Sequence, residues 1–360
     1  MTHTFPDLET PALLVELDRF ERNVAEAAAY SAESGVRLTP HAKTHKTLEL
    51  ARRQLDAGAV GLTVAKSEEA ATYAANSLGP IVVHYPVFGK TKWERLSRVA
   101  GEVGLTVALD SIEVAEPLAE SLRSAGATAE VLVELDVGLG RTGVSVEQAV
   151  ELGRQLESLG GGLELAGLSC YPGHLRDAPG TMAERLAPVK AILDDARARF
   201  AAAGLRCDRV SGGSTATYPH SHELGLTEAR PGNYVFLDRG ETADLDRCAL
   251  TVLATVVSTS VPGRAVVDAG TKTLSEAGPP RDLRGYGAVV GHANVQVVAL
   301  NEEHGYLDVR DCDHVWRVGD RVRMIPNHAC TCVNLHDRLV LVRDAEVVDE
   351  VSVITRGMVR

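Results

Sequence analysis

Short apolar runs alternate with longer amphipathic stretches through the first two-thirds of the chain. The apolar runs are of strand length, as at 61–65, 81–85, 105–110 and 130–136, and the stretches between them have the apolar spacing of helices. The predicted helices span 18–34, 44–57, 67–77, 90–103, 111–125, 145–159 and 181–203. Strands that are apolar throughout and separated by helices predict a parallel sheet covered on both faces. Eight or nine such units over roughly 230 residues predict an α/β fold, a (β/α)8 barrel of the TIM type, with one strand left over.

The pattern changes after about residue 240, where helical stretches nearly disappear. Val-rich segments of strand length follow one another, separated by Gly, Pro or Asp, at 251–258, 265–268, 288–290, 295–299, 306–310, 321–325, 339–343 and 346–353. This pattern predicts an antiparallel β domain. We therefore expect a barrel domain over 18–240 and a β domain over 241–360, while the run at 13–17 belongs either to the barrel or to another sheet.

Charge and cysteine usage exclude several classes of partner. Lys and Arg total 37 against 49 Asp and Glu, so the formal net charge is −12, which disfavours binding to nucleic acid or to anionic lipid. No apolar run approaches the ~18 residues of a membrane-spanning helix, and the first residues lack the pattern of a signal peptide. The six cysteines are scattered. We expect them to be reduced and the protein to be cytoplasmic.

A lysine stands where the second predicted strand ends, in the segment 40–46 (PHAKTHK). The carboxyl ends of the strands carry the active site in barrels of this type. There, Lys43 in a partly desolvated pocket could form an imine with a carbonyl group. On spacing alone, a solvated lysine at the start of a helix is the simpler interpretation.

A Gly-rich turn late in the barrel favours the imine-forming Lys43 over the solvated lysine. Residues 211–215 (SGGST) follow a predicted strand, and 230–234 (RPGNY) come shortly after. Backbone N–H groups in such turns can surround a phosphate, and the last strands of a barrel are a recurrent place for one. An imine-forming lysine early in the barrel and a phosphate site late in it together indicate pyridoxal phosphate (PLP), which carries an aldehyde and a phosphate.

A histidine and a cysteine two residues apart form a candidate metal pair in the β domain. If the segment around His328 and Cys330 is extended, the two side chains point to the same side. An imidazole and a thiolate suit a divalent ion such as Zn²⁺. The spacing alone fits an ordinary half-buried strand with an inert thiol better, because two ligands rarely hold a metal.

Taken together, these motifs resemble the D-serine dehydratase and D-threonine aldolase family. This family belongs to the fold-type III PLP enzymes and is related to alanine racemase. The resemblance covers nearly the whole chain: besides 40–46, 211–215 and 230–234, it includes 10–14, 136–143, 171–174, 302–305 and 326–330. It implies that the first strand joins the C-terminal β domain, so that residues 1–17 belong with 241–360. It also implies a homodimer.

The resemblance assigns roles to particular residues. Lys43 would carry the cofactor, and Tyr171 and His304 would act with it in catalysis. The remaining cofactor contacts would come from Arg141, Tyr171, Gly213, Ser214, Thr215, Gly232 and Tyr234. Other interpretations stay open: an ion pair in a tight turn for Arg141, a core aromatic for Tyr171 and an exposed polar turn for His304.

The resemblance also implies that His328 and Cys330 bind a divalent metal, Zn²⁺ or else Mn²⁺ or Mg²⁺. The aldolase branch more often has an aspartate where Cys330 stands, which favours a dehydratase. Cys332 stands where a threonine is more usual. It is either a third ligand, which would close the metal site and make it structural, or a buried small residue.

We therefore expect a PLP- and metal-dependent lyase acting on a small D-3-hydroxy amino acid. The favoured reaction is of the D-serine dehydratase type, giving a 2-oxo acid and ammonia. The alternatives within the class are a D-threonine aldolase and a D-threo-3-hydroxyaspartate dehydratase. The alternatives outside it are a non-catalytic PLP carrier and an amino-acid racemase.

Overall fold

A computed structural model describes residues 5, 7–177, 180–279, 283–344 and 346–360. The chain divides into two compact units. The barrel unit contains residues 26–43, 48–232 and 357–360, and the β unit contains residues up to Ala25 together with 44–47 and 233–356. In the described ranges, no helix is long and apolar enough to cross a membrane.

The first two-thirds of the chain alternate strands and helices as the pattern predicted. The elements are β1 (Ala12–Glu16), α1 (Leu17–Ser34), β2 (Arg37–Leu38), α2 (Leu48–Asp56), β3 (Leu62–Val64), α3 (Ser67–Ala74), β4 (Ile81–Val83), α4 (Lys90–Val103), β5 (Leu105–Leu109), α5 (Ile112–Ser124), β6 (Ala129–Leu135), α6 (Val146–Ser158), β7 (Leu163–Cys170), α7 (Met182–Ala202), β8 (Arg209–Gly212) and β9 (Glu228–Ala229). Each predicted helix is present, and the one after β2 begins at Leu48 because residues 42–45 form a turn.

Eight parallel strands form the sheet of the barrel unit, in the order β2-β9-β8-β7-β6-β5-β4-β3. A parallel bridge between His41 and Thr63 joins its two outer strands. The predicted (β/α)8 barrel is thus confirmed. Between β8 and β9 the described chain has only a short 3-10 helix, Tyr218–His220.

The barrel core follows directly from the apolar pattern. Strands β3, β4 and β5 are buried at every position, as expected for strands covered by helices on one face and by the barrel interior on the other. Helix α5 buries Val114, Ala115, Leu118, Ala119 and Leu122, the spacing of a single helical face. Each fully buried leucine on such a face contributes roughly 1.5–3 kcal/mol of transfer free energy.

The β unit contains β10 (Leu250–Ser258), β11 (Arg264–Val267), α8 (Thr271–Leu274), β12 (Gly287–Val289), β13 (Gln296–Leu300), β14 (Gly305–Asp308), β15 (Arg321–Pro326), α9 (Ala329–Val333), β16 (Arg338–Arg343) and β17 (Glu346–Ser352). The strand order is β11-β14-β13-β12-β15-β10-β1-β16-β17, and a further pairing of β10 with β11 closes a barrel of six strands.

Strand β1 lies in this second sheet, which confirms the expected place of the surplus strand. It runs antiparallel to β10 and parallel to β16, so one pair departs from the predicted antiparallel arrangement. Leu13, Leu14 and Val15 are all buried, because the strand has a neighbour on each side and a covered face above and below.

The segment after β15 departs from the prediction. The residues after His328 form the short helix α9 instead of an extended segment. The buried Asp238 carboxylate accepts a hydrogen bond from the Ala329 amide, at 2.8 Å. A carboxylate that accepts from a free amide stabilises the start of a helix. Asp238 lies 91 residues earlier in the chain, so no local sequence pattern shows this cap.

Candidate active site

Lys43 follows β2 at the carboxyl end of the barrel sheet and is half-buried. The preceding turn is held by two backbone bonds, from the His41 amide to the Pro231 carbonyl at 2.9 Å and from the Ala42 amide to the Thr63 carbonyl at 2.8 Å. The Lys43 amide donates to Nδ1 of His41, at 3.3 Å. Among the described residues, no carboxylate forms an ion pair with the Lys43 amine. The lysine is therefore held by its backbone, while its amine keeps its hydrogen-bonding capacity.

Two other predicted residues meet at an aromatic ring next to this amine. The ring of Tyr171, which directly follows β7, has its centroid 5.9 Å from Lys43 Nζ. The guanidinium of Arg141 lies over the same ring, 4.8 Å from the centroid. The structure thus brings Lys43, Tyr171 and Arg141 together at the carboxyl ends of three strands.

The loop that carries Arg141 turns tightly behind β6. Asp136 accepts hydrogen bonds from the amides of Gly138 and Gly140, at 2.9 and 3.0 Å. Gly143 has φ +105°, and a Cβ there would lie 2.5 Å from the Asp136 amide nitrogen, so only glycine fits. His174 lies against this loop, since a Cβ on Gly138 would come within 3.3 Å of its Nε2.

The Gly-rich turn after β8 presents unpaired backbone amides. The Ser214 amide donates to Oγ1 of Thr217, at 2.9 Å. The amides of Gly213 and Thr215 have no hydrogen-bond partner within the described part of the chain. The Ser221 hydroxyl is also buried without a partner there, and a Cβ on Gly213 would lie 3.3 Å from it. Buried donors of this kind are rarely left unused in a folded protein, so the turn fits an oxyanion such as a phosphate.

A buried arginine that we had not assigned to the site ties three of its segments together. Arg230 donates to the Ser211 hydroxyl before the Gly-rich turn, and to the Cys170 carbonyl before Tyr171, at 2.9 Å. It also directly precedes Pro231 and Gly232. Burial lowers the pKa of Arg230, and the nearby Glu134 carboxylate opposes that shift. Sequence reasoning identified the segment 230–234 but not this function of its arginine.

In the β unit, His328 and Cys330 form the predicted pair. His328 Nδ1 lies 3.1 Å from Asp238 Oδ2, and the imidazole is also hydrogen-bonded to the Cys330 side chain. The hydrogen bond to Asp238 has the larger effect and the bond to Cys330 the smaller, and together they raise the pKa of His328 to about 10. The surroundings of this ring therefore stabilise positive charge.

The thiol of Cys330 also has a neighbour from the early part of the chain. Its Sγ lies 3.2 Å from the Thr44 hydroxyl. Thr44 belongs to the same unit as Cys330 and directly follows Lys43 in the sequence.

Cys332 does not share a side of the chain with Cys330, because both residues lie in α9. Residues two apart in a helix point in nearly opposite directions. Cys332 is buried, its Sγ donates to the Thr273 carbonyl at 3.1 Å, and burial raises the pKa of its thiol. These contacts fit the buried small residue rather than a third metal ligand.

The remaining predicted residues lie in different surroundings. Gly232 is a buried residue of the segment after β9, and Tyr234 is buried in the 3-10 helix Asn233–Val235. His304 lies in an exposed turn, where its carbonyl accepts from the Asn301 amide at 2.9 Å. The neighbouring Glu303 pairs with Lys272 at 2.6 Å. The surroundings of His304 are thus those of a polar turn.

Comparisons with known proteins show the family to which the chain belongs. Residues 15–240 match the model of the alanine racemase N-terminal domain, and residues 249–342 match a putative serine dehydratase domain. A D-threonine aldolase of Arthrobacter sp. is 34% identical, with 98% of this chain and 94% of that protein covered. A D-threo-3-hydroxyaspartate dehydratase of Delftia sp. is also 34% identical, with 92% and 93% covered.

A solved structure supports the same relationship. The crystal structure of D-threonine aldolase from Filomicrobium marinum superposes with a TM-score of 0.90 at 32% identity, covering 99% of this chain and 97% of that one. The chain therefore belongs to the D-serine dehydratase and D-threonine aldolase family of fold-type III PLP enzymes, with an alanine racemase-like barrel. It is an enzyme of the PLP-dependent lyase class.

The residues present fit the cofactor of this family. Over the described ranges, Lys43 offers an amine without a counter-ion, and the Gly-rich turn offers two unpaired amides and a buried hydroxyl, which are groups that an aldehyde and a phosphate can use. The histidine–cysteine pair also fits a divalent ion, with Asp238 orienting the imidazole as carboxylates commonly do beside metal-binding histidines. Among the described residues, no three His, Cys, Asp or Glu side chains converge as ligands. An ion held by this pair would keep open positions for water or substrate.

Proposed function

We propose that this chain is a PLP- and divalent-metal-dependent lyase acting on D-configured 3-hydroxy amino acids, and that its reaction is dehydration of the D-serine dehydratase type. The observation that carries this proposal is the half-buried Lys43 amine, which has no carboxylate partner among the described residues. It lies 5.9 Å from the ring centroid of Tyr171. An amine in this position at the carboxyl end of the barrel strands, beside an aromatic ring, is available to form an imine with an aldehyde.

Five groups of the barrel unit hold and orient the reactants in this proposal. Bound PLP supplies an electron-withdrawing ring that acidifies the Cα–H bond of an attached amino acid. The Lys43 amine accepts that proton as general base. The Tyr171 ring lies beside the amine, and the Arg141 guanidinium lies over that ring. The Gly213 and Thr215 amides hold the phosphate.

The metal pair acts on the hydroxyl group of the substrate. A divalent ion supplies Lewis acidity that helps this hydroxyl leave. His328 and Cys330 would hold the ion, and Asp238 fixes the direction of the imidazole. The substrate loses the Cα proton and the hydroxyl, and water then replaces the amino group. The net products are a 2-oxo acid and ammonia.

A retro-aldol reaction is the second candidate, because a D-threonine aldolase is among the relatives at 34% identity. It would break the Cα–Cβ bond and release glycine and an aldehyde. The cysteine at position 330 supports the dehydration, since the resemblance implies that the aldolase branch more often has an aspartate there.

One set of incubations distinguishes these reactions. We expect the purified protein to absorb near ~420 nm and Lys43→Ala to lose this band. Incubated with D-serine, the wild type should release pyruvate and ammonia, and a chelator should abolish the release. Glycine and acetaldehyde from D-threonine would instead identify an aldolase. Interconversion of D- and L-alanine that a chelator leaves unchanged would identify a racemase, and an absorbance band without any turnover would identify a PLP carrier.

A further inference from the structure

A buried histidine and carboxylate lie inside the barrel, and the proposed mechanism uses neither of them. His84 directly follows β4, and its Nε2 lies 2.8 Å from Glu134 Oε2 and 3.0 Å from Ser169 Oγ. In the sheet, one strand separates β4 from the β6 strand of Glu134, and two strands separate β4 from the β7 strand of Ser169. Side chains of strands that are not neighbours meet across the interior of a barrel. His84 therefore faces the inside of the barrel at its carboxyl end, where active sites of this fold lie.

These contacts determine which nitrogen of His84 carries the proton. An ionised carboxylate only accepts hydrogen bonds, so Nε2 donates to Glu134 and the neutral ring keeps a lone pair on Nδ1. Within the described ranges, no hydrogen bond reaches Nδ1 of His84. Burial and the charge of Arg230 lower the pKa of His84, which agrees with a neutral ring. A histidine oriented in this way presents its second nitrogen to whatever binds beside it.

The surroundings of His84 connect it to the candidate active site. Arg141 is close enough for its charge to lower the pKa of His84 as well. The guanidinium of Arg141 lies over the ring of Tyr171, and that ring lies beside the Lys43 amine. Ser169, which contacts His84, is two residues before Tyr171 in the sequence. His84 thus lies at the same end of the barrel as the lysine.

The order of the strands indicates which edge of PLP would face His84. The aldehyde of PLP stands on a ring carbon between the carbon that carries the phosphate arm and the carbon that carries the phenolic hydroxyl. In the proposed function, Lys43 after β2 meets the aldehyde, and the turn 213–215 after β8 holds the phosphate. The sheet runs from β2 through β9 to β8 in one direction, and it closes through β3 to β4 in the other. The turn and His84 are therefore each two strands from Lys43, on opposite sides, so the phenolic edge of the ring faces His84.

We propose that Nδ1 of His84 forms a hydrogen bond with the phenolic oxygen of bound PLP, and that Glu134 is the positioning residue of this contact. The inference rests on the proposed function, because it needs the cofactor to be held between Lys43 and the Gly-rich turn. The proton of the phenolic hydroxyl moves toward Nδ1, and Glu134 stabilises the positive charge that the imidazole gains. The phenolic group is next to the carbon that Lys43 binds, so this contact also affects the absorbance of the bound cofactor.

A cofactor analogue tests the contact without turnover. The compound 3-deoxypyridoxal 5'-phosphate lacks only the phenolic oxygen of PLP. The ratio of its dissociation constant to that of PLP, from titrations of the full chain stripped of cofactor, should fall about 10-fold in His84→Leu, which loses this hydrogen bond. His84→Gln keeps a polar group and should show a smaller fall. His314→Leu is the matched control, because it removes an exposed histidine that pairs with Asp320 at 3.5 Å in the β unit, and it should keep the wild-type ratio.

The absorbance of the holoenzyme tests the part assigned to Glu134. In Glu134→Gln, the pH midpoint of the Lys43-dependent band should fall by about 1 unit. The variant loses a buried negative charge while Arg141 and Arg230 remain, so the positively charged, protonated form of the bound cofactor becomes less favourable. His314→Leu should keep the wild-type midpoint. Circular dichroism of each variant checks that the fold is intact.

The outcomes separate this inference from the function on which it rests. An unchanged ratio in a folded His84→Leu would overturn the contact, and so would equal losses of affinity for PLP and its analogue, since these would mean that His84 only supports the pocket. An unchanged midpoint in Glu134→Gln would overturn the role of the carboxylate. In each of these cases the wild type would still show the Lys43-dependent band, and the proposed function would stand. A wild type without this band would overturn the proposed function together with the inference.

Discussion

The buried carboxylate of Asp238 offers the sharpest test of the proposed metal pair. It is fully buried and accepts three hydrogen bonds on Oδ2, from His328, Ala329 and Asn233, and one on Oδ1, from Gly240. Asp238→Asn keeps the size of the side chain but removes its charge and one acceptor atom. The favourable orientation of the new amide keeps its oxygen toward the three donors and turns its nitrogen toward the Gly240 amide.

The expected losses of stability and of metal affinity in Asp238→Asn both follow from this geometry. One buried donor is left unsatisfied, which lowers the free energy of unfolding by about 1–3 kcal/mol. A neutral oxygen also holds the imidazole less firmly than a carboxylate does. Loss of such an orienting group typically weakens metal binding 10–100-fold, or about 1.4–2.7 kcal/mol. We expect the Zn²⁺ dissociation constant of Asp238→Asn to rise by this factor.

Competition with a chromogenic chelator measures the dissociation constant, and urea unfolding measures the stability. Asp337→Asn is the matched control, because Asp337 is an exposed acid of the same unit, paired with Arg356. Excess Zn²⁺ should restore the turnover of Asp238→Asn, since its ligands are intact. A dissociation constant within twofold of the wild-type value would show that Asp238 does not orient a metal ligand, and would refute the reasoning.

Three further predictions concern the buried Arg230, the two cysteines of α9 and the oligomeric state. Arg230→Met removes the hydrogen bonds of this buried side chain to Ser211 and to the Cys170 carbonyl, and should lower the free energy of unfolding by about 1–3 kcal/mol in urea unfolding. A loss smaller than about 1 kcal/mol would contradict its assigned role. Cys332→Ala should keep the metal content of the wild type, whereas Cys330→Ala should lose the metal. Elemental analysis measures both, and equal losses in the two variants would show that Cys332 is also a metal ligand. The homodimer expected from the family resemblance predicts light-scattering masses near twice the 38.3 kDa of one chain, and a monomer at micromolar concentration would exclude it.

Much of the fold could be predicted because its patterns are local. Strand-length apolar runs such as Ile81–Val83 are expected to be buried because their exposure to water is unfavourable. The spacing of Val114, Leu118 and Leu122 identifies the buried face of α5. Lys43 became a candidate for the same reason, since it follows a strand at the end of the barrel where chemistry takes place, although its spacing alone favoured a solvated lysine.

Contacts between distant segments could not be predicted. The helix after His328 begins with a cap from a carboxylate 91 residues away, and without that cap an extended segment was the reasonable expectation. The role of Arg230 depends on Ser211 and Cys170, which reach it from two other strands.

The sequence by itself determined the two kinds of domain and the residue types capable of the chemistry, because periodicity and residue chemistry are properties of short segments. Only the tertiary structure decided which polar groups have partners. Within the described ranges, the unpaired amides of Gly213 and Thr215 and the engaged carboxylate of Asp238 are both consequences of packing between segments. A buried charge has a function only through what surrounds it, and its surroundings come from elsewhere in the chain.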